Sequence, residues 1–485
     1  MASNDLGAIG FLAALRKHHI SVPQQCAVAG FDNIVFGQYT EPPLTTVGYD
    51  NGLFSKTVWN MMIRRLRNEE TGPGQAGTHP ANTDRASIDL RISAMIQKQH
   101  LPARRITHGP KHYFFGYFDK FPWDQSGRYL LAQEIDFVAR QPVPGEKLSL
   151  GMVDLQDKER FIPLAESDAW CWQQGCMFQW LNDAKTKVIY NDREGDHFVA
   201  RILDLHTGEK QTICRPIYCL SPDGKWALSL SFSRLDRERP GYGYPGGRDP
   251  YEKVKCPDQD GVFLVDLKNN TSKLVISIAE VTEKYYRSDM EGTPGWFNHM
   301  LFSPDSRRIA FFHRWRLWNK DGSPGWHLTH MFTANRDGSD IWPLNLENMS
   351  SHYTWTGKNT IINFSNRYTH GWQYYHYTDQ THQTELIAKD VFPGDGHCSY
   401  SSDGKWMLTD SYPLEDHCRR LFLYDLDNRE AFEIGSFYAD PAYPIPTRCD
   451  LHPNWSRDDR FVCIDSIHEG SRQMYLIDVS KFTKK

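Results

Sequence analysis

The 485-residue sequence has no long apolar segment and no excess of basic residues. No apolar run approaches the roughly 18 residues that a membrane-spanning helix needs. The N-terminal segment MASNDLGAIGFLAAL has neither a basic region ahead of an apolar run nor a clear cleavage site, so no secretory signal is recognised. Lys and Arg number 55 against 60 Asp and Glu, which gives a formal charge of −5. We therefore expect a cytoplasmic protein that binds neither membranes nor nucleic acid, since nucleic-acid binding needs a basic surface.

The sequence also lacks closely spaced cysteine pairs. Its ten cysteines are scattered, and no CxxC pair occurs. The closest spacings, Cys171 to Cys176 and Cys214 to Cys219, are wrong for a zinc knuckle. The pattern is typical of free thiols buried in a cytosolic protein. Aromatic residues, in contrast, make up 13% of the chain, and they are the residue types that fill β-strands.

Residues 1–70 differ in pattern from the rest of the chain. Asn4-Asp5 precedes the helical pattern LGAIGFLAALRKHHI, and the apolar run CAVAGFD predicts a buried strand. PPLTTVGYD predicts a second strand, and a second helix is expected at about Gly52 to Arg67. This α-β-β-α order with short connections is typical of an open α/β sheet.

The same segment resembles the C-terminal end of lactose-repressor-type regulators. The resemblance rests on Asn4-Asp5, on Val22-Pro23 before the first strand, on GFDN and on PPLTTV. Such regulators bind DNA through a helix-turn-helix and sugar between two subdomains, and only the last part of one is present here. The resemblance implies a partial sensor fragment of the periplasmic-binding-protein-like fold. We expect neither DNA-binding regulator activity nor sugar binding from it.

Residues 71–101 begin with TGPGQAGTHPANTD, which has no periodicity and predicts a linker. From residue 102 to residue 485 one pattern repeats: a strand, a turn of the Ser-Pro-Asp-Gly type, a second strand, and a third strand that ends in Asp. Units begin near residues 116, 176, 216, 297, 351, 397 and 450. This period predicts an all-β, seven-bladed β-propeller after the α/β fragment.

The third unit is longer than its neighbours. It carries the insert RLDRERPGYGYPGGRDPYEKVKCPDQ between its second and third strands. Radially repeated folds place such inserts on one face, which is often the binding face. We also expect the ring to close by pairing of the segment near Ile106 with the last blade.

Aligning the units on their turns reveals histidines in register. Asp305, Asp403 and Asp458 occupy one turn position, and a histidine lies six residues before each of them. The fifth unit supplies a fourth histidine once its turn, one residue shorter, is allowed for. First strands line the central channel of a propeller, so the four side chains are expected to converge at one mouth of it. They are His299, His352, His397 and His452.

A metal site is one interpretation of these histidines. Imidazole is a common ligand for Mn, Zn, Ni or Fe, and a nearby carboxylate fixes the orientation of a ligand histidine. Asp395 and Asp450 each lie two residues before a histidine of the set. We therefore predict a divalent metal held by the four histidines, with these two aspartates behind them. The alternative is a set of structural histidines copied with the repeat, although the first three units lack one.

The propeller half resembles oligogalacturonate lyases and related propeller polysaccharide lyases. The resemblance rests on the seven-unit layout, on FFH at Phe311–His313 and on HCSYSSDG at His397–Gly404. It implies a TolB/oligogalacturonate lyase-like fold, a histidine-held divalent metal that binds the uronate carboxylate, and a basic residue that takes the C5 proton. The family's metal site also uses a glutamine, and Pro393, Gly394 and Asp395 stand at the matching place here.

Such a reaction requires charge stabilisation at the carboxylate and a base within hydrogen-bond reach. The predicted catalytic residues are His112, Arg234, Arg237, Tyr242 and Tyr244. Guanidinium groups bind carboxylates bidentately. The predicted substrate-binding residues are Arg239, Arg248 and Arg448. Alternatively, the arginines of the insert lie on a solvated surface loop and bind no substrate.

Three functions remain open at this point. The first is a polysaccharide or oligosaccharide lyase that cleaves uronate-containing sugars by β-elimination, with an anionic oligosaccharide as its substrate. The second is a non-catalytic propeller that binds a protein or glycan partner. The third is a metal-dependent hydrolase. Fold alone does not decide between them, but four imidazoles at one channel mouth favour the two enzymes.

Overall fold

The computed structural model describes residues 29–31, 45–47, 96–181, 186–319, 321, 323–347, 349–443 and 445–484. The chain divides into two compact units, Met1–Asn82 and Thr83–Lys485. In the first unit, β1 (Ala29–Phe31) and β2 (Thr45–Val47) pair in parallel. Both strands lie within segments predicted to be strands, whereas the two predicted helices lie outside the described residues. No described helix is long and apolar enough to cross a membrane.

The second unit is a seven-bladed β-propeller, as the repeat predicted. Two short strands, β3 (Ile96–Lys98) and β4 (Ala103–Arg105), precede the first blade. The first three blades are β5 (His112–Phe114), β6 (Tyr129–Ile135), β7 (Leu148–Asp154) and β8 (Arg160–Ser167); β9 (Gln179–Trp180), β10 (Lys187–Glu194), β11 (His197–Asp204) and β12 (Lys210–Ile213); and β13 (Cys219–Leu220), β14 (Trp226–Ser229), β15 (Gly261–Asp266) and β16 (Thr271–Ser277).

The remaining four blades follow the same antiparallel order. They are β17 (Gly295–Phe302), β18 (Arg308–Trp318), β19 (Pro324–Asn335) and β20 (Trp342–Asn345); β21 (Met349–Trp355), β22 (Thr360–Arg367), β23 (Gly371–Thr378) and β24 (Thr384–Ile387); β25 (Ser399–Tyr400), β26 (Trp406–Asp410), β27 (Cys418–Asp425) and β28 (Glu430–Tyr438); and β29 (Asn454–Trp455), β30 (Phe461–Ser466) and β31 (Gln473–Asp478). The last blade takes its fourth strand from the start of the unit.

The ring closes near Ile106, where the sequence predicted it. Strand β4 pairs antiparallel with β31, and the Ile106 backbone N–H donates to the Met474 carbonyl at 2.9 Å. Strand β3 pairs in parallel with the outer edge of β28 and makes the sixth blade five-stranded. Residues 96–98 were assigned to the linker by sequence. The structure differs there because the open edge of β28 offers backbone hydrogen bonds to a passing segment.

The turns that revealed the repeat share one set of hydrogen bonds. In the fourth blade, the Ser303 hydroxyl donates to the Asp305 carboxylate at 2.7 Å and accepts the Arg308 N–H at 2.9 Å. Ser401 and Asp403 make the same contact in the sixth blade at 2.7 Å. Side chains that satisfy the turn backbone in this way fix the hairpin and therefore the register of the strand before it.

Apolar side chains pack between neighbouring blades. Phe312 of β18 packs with Tyr353 of β21, and Leu408 of β26 packs with Val462 of β30. Short helices connect some strands. Helix α1 (Phe232–Glu238) overlaps the start of the predicted insert of the third blade, and α2 (Ile278–Lys284) and a 3-10 turn (Ser288–Met290) follow that blade. Helix α3 (Ser480–Thr483) lies near the end of the described chain. Six of the nine described cysteines are buried, and all nine are free thiols, in line with the predicted buried thiols.

Candidate functional site

The histidines at the channel stand at irregular points of the inner strands. The pairing register of β17 shifts around His299, whose φ is 47°, and that of β21 shifts around His352. His452, just before β29, has a φ of 43°. A bulge redirects a side chain out of the regular alternation of a strand. Left-handed backbone at residues other than glycine costs free energy and is concentrated at functional sites.

The structure brings the four predicted histidines together. The ring centroids of His352 and His397 are 4.0 Å apart, and those of His397 and His452 are 4.6 Å apart. The rings of His299 and His352 are 6.2 Å apart. All four side chains are buried, and the ring of Tyr117 lies within 4.7 to 6.4 Å of every one of them. Their role as metal ligands stays a prediction.

Carboxylates orient two of the imidazoles. The Nδ1 atom of His352 lies 3.0 Å from Asp395, and that of His397 lies 2.9 Å from Asp410. When Nδ1 donates to a carboxylate, Nε2 keeps the lone pair that can bind a metal. Asp395 was predicted to stand behind His397, and the structure differs: Asp395 orients His352, and Asp410, which the sequence analysis missed, orients His397.

His397, Asp450 and His452 form a compact set of possible ligands. One ligand atom from each lies within 4.8 Å of the other two. The Nε2 atom of His397 and both ring nitrogens of His452 are buried and have no hydrogen-bond partner in the described part of the chain. Buried polar atoms are rarely left unpaired, so these orphaned nitrogens fit a bound cation. Burial, together with the neighbouring His397, lowers the pKa of His452 well below its usual range, which keeps the ring in its neutral, metal-binding form.

Asp450, which was predicted to stand behind the histidines, is itself one of the possible ligands. Its Oδ2 lies 3.9 Å from Nε2 of His452. Burial alone would raise the pKa of the Asp450 carboxyl, but Arg419 at 2.6 Å and Arg448 at 2.9 Å outweigh burial and hold the pKa well below its usual range. Asp450 is therefore an ionised carboxylate shared between two guanidinium groups and the histidines.

A pocket of about 760 Å³ adjoins this cluster through Asp395, Tyr242 and Tyr412, which line it. The ring of Tyr242 is 5.9 Å from His299, and that of Tyr412 is 6.3 Å from His397. Arginines outnumber the aspartates in the lining, which are Asp395 and Asp440. A wall with this excess of positive charge suits an anionic ligand. The lining arginines are Arg239, Arg314, Arg316, Arg419 and Arg448.

Three of these arginines, Arg239, Arg314 and Arg316, have no carboxylate partner among the described residues. Arg314 is 2% exposed, its Nε donates to the Thr329 hydroxyl at 3.1 Å, and one terminal nitrogen is buried without a partner. Burial and the neighbouring Arg239 lower the pKa of Arg314 to about 9. Arg239 donates to Nε2 of His327 at 2.7 Å. Burying a cation without a counter-ion is costly, and an anionic ligand in the pocket would offset that cost.

Of the predicted catalytic residues, Tyr242 lines the pocket and Arg234 does not. Arg234 is 1% exposed on α1. Its guanidinium donates to the backbone carbonyls of Gly295 at 2.9 Å and Val254 at 3.0 Å. These bonds tie the insert to β17, so Arg234 is a structural residue. Arg237 is also engaged elsewhere, because its side chain pairs with Asp249 at 2.7 Å.

Three further predicted residues lie outside the pocket lining. Tyr244 is buried in the core, where its ring stacks on Phe232 with centroids 4.2 Å apart. Arg248 is exposed on the insert. His112 begins β5, and its Nδ1 accepts the backbone N–H of Arg472 at 3.3 Å. By contrast, the predicted substrate-binding residues Arg239 and Arg448 do line the pocket.

Sequence reasoning missed Arg314, Arg316 and Arg419 as pocket residues. Arg314 and Arg316 alternate in HRWRLW, and alternate residues of a strand share one face. This alternation predicts that Arg314 and Arg316 share a face only if the strand continues past His313, as the eleven-residue β18 does.

Residues 1–88 match the family of periplasmic binding protein-like domains. The HTH-type transcriptional repressor PurR of Vibrio atlanticus is 28% identical over 85 residues, which are 18% of this chain and 25% of the repressor. PurR of Escherichia fergusonii is 32% identical over 84 residues, which are 17% of this chain and 25% of the repressor. The chain thus spans about a quarter of the length of the curated relatives it matches. The predicted resemblance of the N-terminal segment to part of a repressor-type sensor is confirmed.

Solved structures of oligogalacturonate lyases share the propeller architecture. One from Vibrio parahaemolyticus aligns with 78% of this chain and 94% of its own, at 18% identity and a TM-score of 0.54. An oligogalacturonate lyase in complex with manganese aligns with 79% of this chain and 98% of its own, at 16% identity and a TM-score of 0.55. TolB from Acinetobacter baumannii aligns with 73% of this chain at a TM-score of 0.35. The two lyase matches show a common fold.

Proposed function

We propose that the propeller is a polysaccharide or oligosaccharide lyase that cleaves uronate-containing sugars by β-elimination. The observation that carries the proposal is the arrangement around Arg314, a buried guanidinium without a carboxylate partner in the described chain, which lines a pocket beside buried imidazole nitrogens that also lack partners. The first feature calls for an anionic ligand and the second for a cation. A uronate carboxylate bound next to a divalent ion meets both requirements.

His397, Asp450 and His452 would hold the metal, which we expect to be Mn, Zn, Ni or Fe because the set combines imidazoles with a carboxylate. A divalent ion bound there would stabilise negative charge that develops next to the uronate carboxylate. The chain's own arginines contribute to the same end. Arg239 and Arg314 face the pocket as cations, and cations placed before the reaction stabilise an enolate-like charge without reorganising.

Tyr242 is the group that we propose as the base that takes the C5 proton. It lines the pocket, whereas Arg234, Arg237, Tyr244 and His112 do not. Arg314 also lines the pocket, but its proposed role there is that of a cation. Replacement by Tyr242→Phe removes the phenolic oxygen and should lower kcat while substrate affinity is retained.

A metal-dependent hydrolase is the second candidate, because the same cluster could activate water. We propose a cytoplasmic enzyme that acts on imported oligosaccharides.

The lyase and the hydrolase are distinguished by incubating the purified full chain and Mn²⁺ with oligosaccharides of galacturonate, glucuronate and mannuronate. A lyase releases an unsaturated product that absorbs in the near ultraviolet, whereas a hydrolase releases a product heavier by one water.

The controls separate the site from the fold. The double variant His397→Ala, His452→Ala should release no unsaturated product, whereas Arg248→Ala, which alters an exposed insert residue, should match the wild type. Products that carry an added water would contradict the lyase. The absence of any cleavage would leave a propeller that only binds its partner.

A further inference from the structure

Two exposed tryptophans line the pocket in addition to the arginines. Trp326 lies on β19 and is 65% exposed, and Trp372 lies on β23 of the next blade and is 45% exposed. Both belong to the lining of the pocket that contains Arg239 and Arg314. Large aromatic side chains are normally buried on folding, so their exposure in a pocket indicates a role in binding.

Each indole is held by a second ring stacked against it. Trp326 lies parallel to His327, with an interplanar angle of 19° and centroids 5.0 Å apart. Trp372 lies parallel to Phe364, with an angle of 18° and centroids 5.6 Å apart. His327 is itself fixed, because its Nε2 accepts a hydrogen bond from Arg239. Both indoles are therefore preoriented, with one face supported from behind.

Preorientation matters because a ring that is already fixed loses little conformational freedom when a ligand binds. A flat, apolar face with a polar N–H at its edge is suited to a ligand that is apolar on its faces and polar at its rim. A pyranose ring has C–H groups on its faces and hydroxyl groups at its rim. The neighbouring arginines select those sugars that also carry a carboxylate.

We propose that Trp326 and Trp372 form a stacking subsite for a pyranose ring of an anionic oligosaccharide. The ring bound there is a different unit from the one whose carboxylate meets the arginines. This inference rests on the proposed function for the identity of the sugar, and it adds that the ligand is an oligosaccharide rather than a single uronate.

The test measures how binding depends on chain length. An array of uronate and neutral oligosaccharides of increasing length is first probed with the full chain loaded with Mn²⁺. The affinity for each sugar that binds is then measured by calorimetry at low temperature, so that cleavage during the titration is slow. For the wild type, affinity should rise with length. In the double variant Trp326→Ala, Trp372→Ala, the affinity for the longer sugars should fall about tenfold, while that for the shortest stays unchanged.

Two further variants serve as controls. Trp318→Ala removes a tryptophan that is 48% exposed on the same hairpin but is not part of the pocket lining, and it should bind like the wild type. The double variant Trp326→Phe, Trp372→Phe keeps an aromatic face and should retain most of the affinity. Thermal melting checks that each variant is folded.

The outcomes separate the subsite from the proposed function. Uronates bound with the same length dependence in the wild type and the alanine variant would overturn the subsite and leave the function standing. Neutral oligosaccharides bound in place of uronates, and lost in the alanine variant, would support the subsite and overturn the function. Binding of no oligosaccharide at all would overturn both.

Discussion

The Nδ1 atom of His397 lies 2.9 and 3.0 Å from the two carboxylate oxygens of Asp410. The backbone N–H of His397 donates to the same carboxylate at 2.7 Å. One aspartate therefore fixes both the main chain and the ring of this histidine, and Nε2 stays buried without a hydrogen-bond partner among the described residues. Asp410 is a positioning residue for the proposed metal centre.

Replacement by Asp410→Asn should weaken divalent-metal affinity by about 10- to 100-fold, the usual effect of losing a carboxylate behind a ligand histidine. Competition with a chromophoric chelator measures the affinity. Asp403→Asn changes an aspartate in a turn of the same blade, where Asp403 accepts the Ser401 hydroxyl, and should leave the affinity unchanged. Equal affinities for both variants would show that Asp410 does not position His397.

Arg314→Ala should weaken binding of an anionic oligosaccharide by about 10- to 100-fold, because hydrogen bonds to a charged group contribute about 1.5–3 kcal/mol. The dependence of the affinity on salt should also become weaker, since one cation leaves the pocket. Arg248→Ala should change neither quantity. Titration calorimetry at two salt concentrations gives both values, and equal losses for the two variants would contradict the assignment of Arg314 to the pocket.

Arg234→Met should destabilise the propeller by about 3 kcal/mol or more, because it leaves several buried carbonyls without their donor. Arg248→Met alters an exposed residue of the same insert, and its effect should stay below about 0.5 kcal/mol. Urea unfolding measures both. A fully stable Arg234→Met protein that had lost activity would instead support the catalytic role predicted from sequence.

The sequence was sufficient to predict the propeller because each blade repeats a local signal. The turns at Asp305, Asp403 and Asp458 mark the hairpins, and the backbone between turn and inner strand has the same length in each of these blades. The constant spacing of six residues therefore places the histidines at equivalent positions of neighbouring blades. Repetition made the register predictable without any knowledge of packing.

The rest of the site depends on features that do not repeat. The insert was interpreted as a loop, but it begins within α1, which turns Arg234 into the core while Arg239, one residue beyond the helix, reaches the pocket. The structural residue Arg234 and the pocket residue Arg239 are thus only five positions apart in the sequence. Arg419 reaches the pocket from β27, and a single sequence gives no measure of how far that strand lies from Asp450.

Asp260 makes the stability depend on pH. It is 4% exposed, Oδ2 has no hydrogen-bond partner within the described chain, and burial raises the pKa from 3.8 to about 6, partly opposed by Arg234. Between these two values the folded state keeps a proton that the unfolded state has lost. Stability therefore falls as the pH rises from about 4 to above 6, by up to about 3 kcal/mol.

Asp260→Asn removes this titration and retains an oxygen for the Gly261 N–H, which Asp260 accepts at 2.8 Å. The variant should gain stability relative to the wild type as the pH rises from about 4 to about 8, by the same amount. Urea unfolding across that range measures the difference. Parallel stability curves for the two proteins would contradict a raised pKa at Asp260.

The claim on which the proposed chemistry depends is that His397, Asp450 and His452 hold a divalent metal. Elemental analysis of the full chain, purified without a histidine tag, tests it most directly when the double variant His397→Ala, His452→Ala is analysed in parallel. We expect about one equivalent of Mn, Zn, Ni or Fe in the wild type and its loss in the variant. A wild type without metal, or a variant that retains it, would contradict the metal centre.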